Sequence, residues 1–299
     1  MLTQLIERRG TFGQAEFYLQ SRGASIEPLV EAHERIEEAL RRVHAAVPPE
    51  QRRASLDRDD LDRFLFAEDD LIVVVGQDGL VANVAKYLRG QPVVGVNPDP
   101  TAYDGVLCRH RVEAFQAALH WTATGKGGFS IEPRVMAEAL REDGQRLVAL
   151  NEVFVGHRTH QSARYRIHAA DLSTRHSSSG IICTTGTGST GWARSIASQR
   201  QLERELPAPG DAALAWLVRE PFPSVTTTTD LDFGVITPDA PLRVESDMSE
   251  NGVVFADGIE SDYLEFVSGH TVEIRVAETR LSLVTPRGDA RVRQARSEG

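Results

Sequence analysis

Three short stretches hold residue types that could do chemistry on an anionic substrate. In the first, Asp78 stands in Gly76-Gln77-Asp78-Gly79, after the apolar run Leu71 to Val75. Helical spacing follows through Leu80, Val81, Val84, Ala85 and Leu88. A strand that stops at a glycine turn and continues as a helix aims free backbone N–H groups, and a positive helix end, at whatever lies above the sheet. A carboxylate beside a phosphate repels it, unless a metal ion lies between them or the carboxylate takes a proton from an attacking hydroxyl. The pattern suits phosphoryl transfer, with Asp78 as general base or magnesium-linked acid. Asp is equally a favoured helix N-cap, which is the structural alternative.

The second stretch is Asn151-Glu152, inside or at the end of a strand running from Leu147 to Val155. An amide offers a donor beside an acceptor, and a carboxylate accepts from hydroxyls, so the pair suits a base edge and a ribose. The alternative is a polar pair at a strand end. The third is Thr184 to Trp192, another buried strand leading through a small-residue loop into a helix. Its hydroxyls and N–H groups can bind a ligand, and Trp192 offers a face for stacking; Ser189 or Thr190 as a helix cap is the plainer reading. Gly186, Gly188 and Gly191 match the dinucleotide fingerprint letter for letter. That fingerprint needs an acidic residue at the end of a following strand, and Asp211 falls in a Pro-Gly loop instead. A Walker loop is missing, so the chain is not a kinase of that type.

These stretches need a frame to hold them. Residues 1–50 read as helical, with the break at Arg22-Gly23 and Pro28. Leu61, Phe64 and Leu65 suggest a short packing helix. Leu71 to Val75, the helix after it and Pro92 to Val96 form a βαβ unit, followed by a turn-rich crossing, Asn97-Pro98-Asp99-Pro100, and a helix over 112–124. Gly125 to Gly128 is the natural boundary. Beyond it come strands at 147–155, 163–168 and 181–184, a helix from Trp192 to Glu205, and short strands over 242–245, 252–256, 263–267, 270–276 and 280–284. Asn251-Gly252, Asp257-Gly258 and Ser268-Gly269 mark the turns. The expected division is an α/β domain over 1–125, a β-rich domain over 126–286, and a charged tail over 287–299 that is helical or frayed and returns to the first domain.

Composition narrows the function classes. The chain has 299 residues, a formal charge of −10, and two cysteines, Cys108 and Cys183. Such a charge argues against a nucleic-acid or membrane-surface binder, though not against a polyphosphate held by local donors. Two cysteines suit a reducing cytoplasm. No apolar run reaches about 18 residues, and MLTQLIERRG does not read as a signal peptide. His157 and His160 are loosely spaced like metal ligands, but nothing near them in sequence completes a site. Arg164, Arg166 and His168 share one face of a strand and read as a solvated stripe.

Taken in order, the three stretches resemble the NAD kinase family. Its GGDG turn is similar to GQDG at 76–79, its Asn-Glu pair to Asn151-Glu152, and its TPTGSTAY loop to Thr185 through Trp192. Asn97-Pro98-Asp99-Pro100, Ala149 to Phe154 and Ser178-Ser179-Gly180 look closer to the mitochondrial-type branch. The likeness covers roughly Asp70 to Val284. It implies a Rossmann-like parallel-sheet domain joined to a β-rich one, with a site between them, and ATP-dependent phosphorylation of the adenosine-ribose 2′-hydroxyl of NAD, with a divalent metal such as magnesium, to give NADP. Asp78 would be the catalytic residue. Gly76, Gln77, Gly79, Asn151, Glu152, Thr187, Ser189, Thr190, Gly191, Trp192 and Asp257 would bind nucleotide and dinucleotide, and no protein-only metal site is implied. Family analogy also implies a homodimer. Three departures stand out. Gln77 replaces a glycine, which would cost about 1–2 kcal/mol if that position needs a positive φ; Leu80 replaces a threonine; and Ser179 stands where the bacterial branch has an aspartate. The family's first sheet strand, ahead of the opening helices, has no counterpart here, so the expected start is late.

Overall fold

Apolar residues at three- and four-residue spacing build the opening helices α1 (Leu2–Arg9), α2 (Phe12–Gln20) and α3 (Glu27–Ala46) in a computed structural model that describes residues 2–288. The break falls at Arg22-Gly23 as expected, but Pro28 belongs to α3: it occupies the first turn, where a missing N–H breaks no bond. A 3-10 turn at Arg58–Arg63 buries Leu61. The packing expected of Leu65 does not occur. Phe64 is extended, so alternate side chains point apart: Phe64 and Phe66 meet edge to face at 4.9 Å, and Leu65 is 93% exposed.

The βαβ unit forms as read. Strand β1 (Ile72–Val75), helix α4 (Asp78–Ala85) and strand β2 (Pro92–Asn97) place Ile72 opposite Val93 in a parallel pair. Two residues, His110–Arg111, pair in parallel beside the end of β2 as β3, and α5 (Val112–Thr124) stops where Gly125 turns left-handed. The β-rich part follows as β4 (Phe129–Arg141), β5 (Arg146–Ala149), β6 (Glu152–His157), β7 (Ala163–Ala169), β8 (Leu172–Ser178) and β9 (Ile181–Thr184). Helix α6 (Trp192–Arg200) then leads to β10 (Leu214–Val218), β11 (Phe233–Ile236), β12 (Leu242–Ser246), β13 (Gly252–Ala256), β14 (Tyr263–Glu265) and β15 (Thr271–Pro286).

Several expectations are corrected here. The single strand expected over 147–155 is two, β5 and β6, with a corner at Leu150-Asn151. The helix from Trp192 ends at Arg200, because Gln201 is left-handed (φ 59°), and Glu203–Glu205 is a separate 3-10 turn. The two strands expected over 270–284 are one, β15, whose pairing with β4 slips between Val276 and Arg280. Strands β3, β4, β8, β10 and β11 are not among the expected ones, although β10 is an unbroken buried LAWLV run.

Two sheets result. A nine-stranded sheet runs β1-β2-β15-β12-β7-β8, with β3 against β2, and with β4 against β15 and β5. A six-stranded antiparallel sheet runs β11-β10-β9-β6-β13-β14. Between them lies the largest core, with Tyr165, Ile167, Val155, Cys183 and Trp216 among its members. In β7, Ala163, Tyr165 and Ile167 are fully buried while Arg164 faces water, so the alternation read there is the alternation found. Strand β15 is shared: its first four residues pair with β12, and Ser282 and Leu283 lie parallel to β2, with Leu283 opposite Val93. That pairing brings β15 back to the βαβ unit. A second core packs α4 against Leu107, Cys108, Met136 and Leu150. Of the expected tail, residues 289–299 lie outside the described residues. Among those described, no helix is long and apolar enough to cross a membrane.

Candidate active site

Asp78 is the first residue of α4 and does not cap it. Gln77 holds the N-cap position, and the Asp78 carboxylate turns instead to the loop after β2. There it accepts three consecutive backbone N–H groups: Val106 N on Oδ2 at 2.8 Å, and Leu107 N and Cys108 N on Oδ1 at 2.9 and 2.8 Å. An ionised carboxylate has about four lone-pair sites, so one remains for a ligand. The strain feared at Gln77 is absent. Its φ is −91°, and the unusual backbone falls on Gly76 (φ 155°). Leu80, where a hydroxyl was expected, packs into the core around α4. Gln77 and Gly79 are exposed, and a Cβ at Gly79 would meet open space.

Asn151 and Glu152 sit at the corner where the chain leaves one sheet for the other. The corner is made by a second carboxylate clamp. Asp257 accepts from Leu150 N at 2.9 Å, Asn151 N at 2.7 Å and Glu152 N at 3.3 Å, and donates its own N–H to Glu152 O. It does so from a left-handed backbone (φ 52°), a conformation Asp tolerates better than most residues. Burial pushes Glu152 up to about 7, with the Asp257 charge adding to the effect. Asp257 is pushed up to about 6 by burial, against its three N–H donors and the nearby Lys86 charge. Lys86 follows α4 directly and pairs with Asp262 at 3.0 Å. The Lys86 charge thus links the end of α4 to the Asp257 corner.

The raised carboxylates set a pH dependence of stability. An unfolded Glu152 would lose its proton near 4.5, the folded one near 7, so its contribution is complete below the lower value and gone above the upper one. Replacing it by glutamine removes the titration. Glu152→Gln is therefore expected to gain on the wild type as pH rises from about 5 to 7, by about 2 kcal/mol. Thermal melts of both proteins at pH 5 and pH 8 read the difference. A constant gap between them would mean the Glu152 charge is not desolvated.

The third stretch folds back on this corner. Thr185 Oγ1 donates to Leu150 O at 2.6 Å and Thr185 N to Asn151 O at 2.9 Å, while the same hydroxyl accepts from Thr187 N and Gly188 N. The glycines serve close approach, not a pyrophosphate turn: a Cβ at Gly188 would lie 2.2 Å from Asn151 O, and at Gly186 2.0 Å from Ala208 O. Ser189 and Thr190 donate their hydroxyls to loop carbonyls, Thr185 O and Thr187 O, so neither caps α6. Thr187 Oγ1 is buried without a hydrogen-bond partner. Thr190, Gly191 and Trp192 are exposed. Trp192 already stacks on Phe154, with centroids 5.8 Å apart, and carries the Arg219 guanidinium 4.7 Å from its ring centre.

Thus Asn151, Glu152, Asp257, Thr187 and Ser189 come together around one corner, with Thr190, Gly191 and Trp192 at its rim, and Asp78, Gly76, Gln77 and Gly79 at the head of α4. One cavity lies elsewhere. A groove of about 780 Å³ between α3, Asn97 to Pro100 and the start of α5 touches none of these residues, and its lining charges include the Arg35–Asp99 and Arg42–Glu113 pairs. Among the described residues, no group of three or more His, Cys, Asp or Glu side chains could hold a metal ion, and His157 is bonded to Thr159. Sequence reasoning missed Arg109, Glu132 and Arg134, which gather beside Asp78. The legible signal was two charges of opposite sign, two residues apart, on the same face of a strand.

No protein-family model matches the chain. It is 30% identical to an NAD kinase of Syntrophotalea carbinolica over 228 residues, 71% of this chain and 72% of the relative. An NAD kinase of Chlorobaculum tepidum is 26% identical over 220 residues, 72% of this chain and 71% of the relative. Among solved structures, an NAD kinase from Archaeoglobus fulgidus in complex with ATP superposes with a TM-score of 0.57 at 23% identity, covering 89% of this chain and 95% of that one. Yeast NADH kinase complexed with NADH gives 0.56 at 16% identity, covering 76% and 65%. At these identities the structures establish the fold: a mixed parallel sheet with helices and a β-rich C-terminal part.

Proposed function

Since the chain belongs to the NAD kinase family, we propose that it transfers the terminal phosphoryl group of ATP to the adenosine-ribose 2′-hydroxyl of NAD, giving NADP. The carrying observation is the pair of carboxylates, Asp78 and Asp257, each held by three consecutive backbone N–H groups. Asp78, with one lone-pair site left, takes the proton of the attacking hydroxyl as its oxygen bonds to phosphorus, the bridging P–O bond breaks, and ADP leaves with that electron pair. The first-turn N–H groups of α4 and its positive end face the transferred group. Asn151 and Glu152 hold the adenosine part, and Thr187 to Trp192 line the rest. In this reading residues 1–125 present Asp78, residues 126–286 present the corner, and the substrates lie between. In this reading magnesium enters as part of Mg-ATP, where it neutralises phosphate charge. Two buried, unpaired cysteines suit a cytoplasmic enzyme, and a homodimer is the assembly we expect from sedimentation.

The test is incubation with Mg-ATP and NAD and an assay for NADP, which is expected to form. One observation favours a second reading: the three amides on Asp78 fit a purely structural clamp. Calorimetry that detects dinucleotide binding, with no product from ATP or polyphosphate donors, would select a nucleotide-binding protein without catalysis.

A further inference from the structure

Strand β4 carries Glu132 and Arg134 on the face that also bears Met136, which packs with Leu107 and Cys108. Arg134 is fully buried, yet Nε and Nη1 have no acceptor. Its ion-pair partner is Glu132, with Nη2 2.9 Å from Oε1. The other oxygen of Glu132 meets Arg109 Nη1 at 3.1 Å, and Arg109 Nε donates to Val106 O at 2.9 Å. Val106 N is the donor to Asp78 Oδ2. The contacts are continuous from Arg134 through Glu132, Arg109 and Val106 to Asp78.

Two guanidinium charges therefore share one carboxylate. Burial draws Arg134 down to about 10, so it stays charged at neutral pH, and Asp78 is among the charges acting on it. Asp78 completes the balance: two cations, two anions. A buried ion with unmet donors is costly for stability alone, and unmet buried polar groups concentrate where a structure serves a reaction. Nearby, Pro209 O accepts from Val135 N, and Ala208 O lies against Gly186. The 208–209 turn thus lies between the backbone of β4 at Val135 and that of the third stretch at Gly186.

We propose that Arg109, Glu132 and Arg134 are positioning residues that hold the 106–108 loop, and through it the Asp78 carboxylate, in place for phosphoryl transfer. When Asp78 accepts the hydroxyl proton the cluster gains one net positive charge, at the moment phosphoryl charge develops above it. The catalytic half of this proposal rests on the kinase reading; the holding half does not.

Hydrogen exchange at the Val106, Leu107 and Cys108 amides tests it in the full chain. The isosteric Glu132→Gln variant is expected to speed exchange at those three amides by about tenfold or more, while amides of β4 and β15 stay within about twofold. Arg134→Lys, which keeps the charge but loses the fork, should fall between the two. In turnover, Glu132→Gln should lower kcat about tenfold with KM for ATP and NAD within about threefold. Exchange that rises equally everywhere, or nowhere, in both variants overturns the network. Wild-type protein without any turnover would overturn the kinase reading, and the exchange result would still decide whether the network holds the loop.

Discussion

Asp78→Asn is expected to abolish NADP formation, lowering kcat by about 10²–10⁴, while the protein stays folded and still binds dinucleotide. The asymmetry follows from the clamp. Asparagine Oδ1 can still accept from Leu107 N and Cys108 N, which share one carboxylate oxygen in the wild type. The amide nitrogen then faces Val106 N, donor against donor, and that single lost bond costs on the order of 1–2 kcal/mol. Structure survives, but the proton acceptor does not. Product assays with calorimetric titration of NAD separate the two effects. A variant that keeps more than about a tenth of wild-type kcat would reduce Asp78 to a loop clamp and favour binding without catalysis.

Asp257→Ala is expected to be the most damaging change at the corner. It removes the acceptor of three consecutive N–H groups, each worth about 1–3 kcal/mol when left buried and unmet. The site is half-buried, so water satisfies part of the deficit, and a net loss of about 3 kcal/mol is expected, a fall in Tm of roughly 6–10 °C. Alanine must also adopt the left-handed backbone that aspartate tolerates better. The damage spreads, because Leu150 O and Asn151 O hold Thr185, and Thr185 holds the turn to Gly188. Dinucleotide affinity should fall at least tenfold. The stability loss should be larger at pH 5 than at pH 8, since the carboxylate removed is one whose ionisation burial disfavours up to about 6. Denaturant melts at the two pH values check the sign; an equal loss at both would mean that Asp257 is ionised throughout.

Both predictions turn on partners far away in the chain. Asp78 meets amides 28 to 30 positions on, and Asp257 meets amides 105 to 107 positions back. No periodicity reports such a pairing. What was legible was local: a strand ending in a glycine turn, a helix over 112–124 that formed with those bounds, and a β7 alternation that reappears as burial. Asn151-Glu152 stood out as polar residues in an apolar run, which marked the place but hid the corner, because a sheet-to-sheet turn made by a distant carboxylate leaves no glycine or proline behind. Trp192 was legible as an exposed aromatic; that Phe154 and Arg219 already flank it depended on which strands lie beside α6.

By itself the sequence determined the βαβ unit, the β-rich second half and the three stretches that place the chain in its family, since each depends on side-chain spacing within a few residues. Tertiary structure alone decided that Gln77 bears no strain, that Gly186 and Gly188 admit neighbouring backbone, and that Arg134 lies buried near Asp78. Those facts depend on what packs against a residue from elsewhere in the chain, and the free energy of a buried charge or an unmet N–H is set by that neighbour.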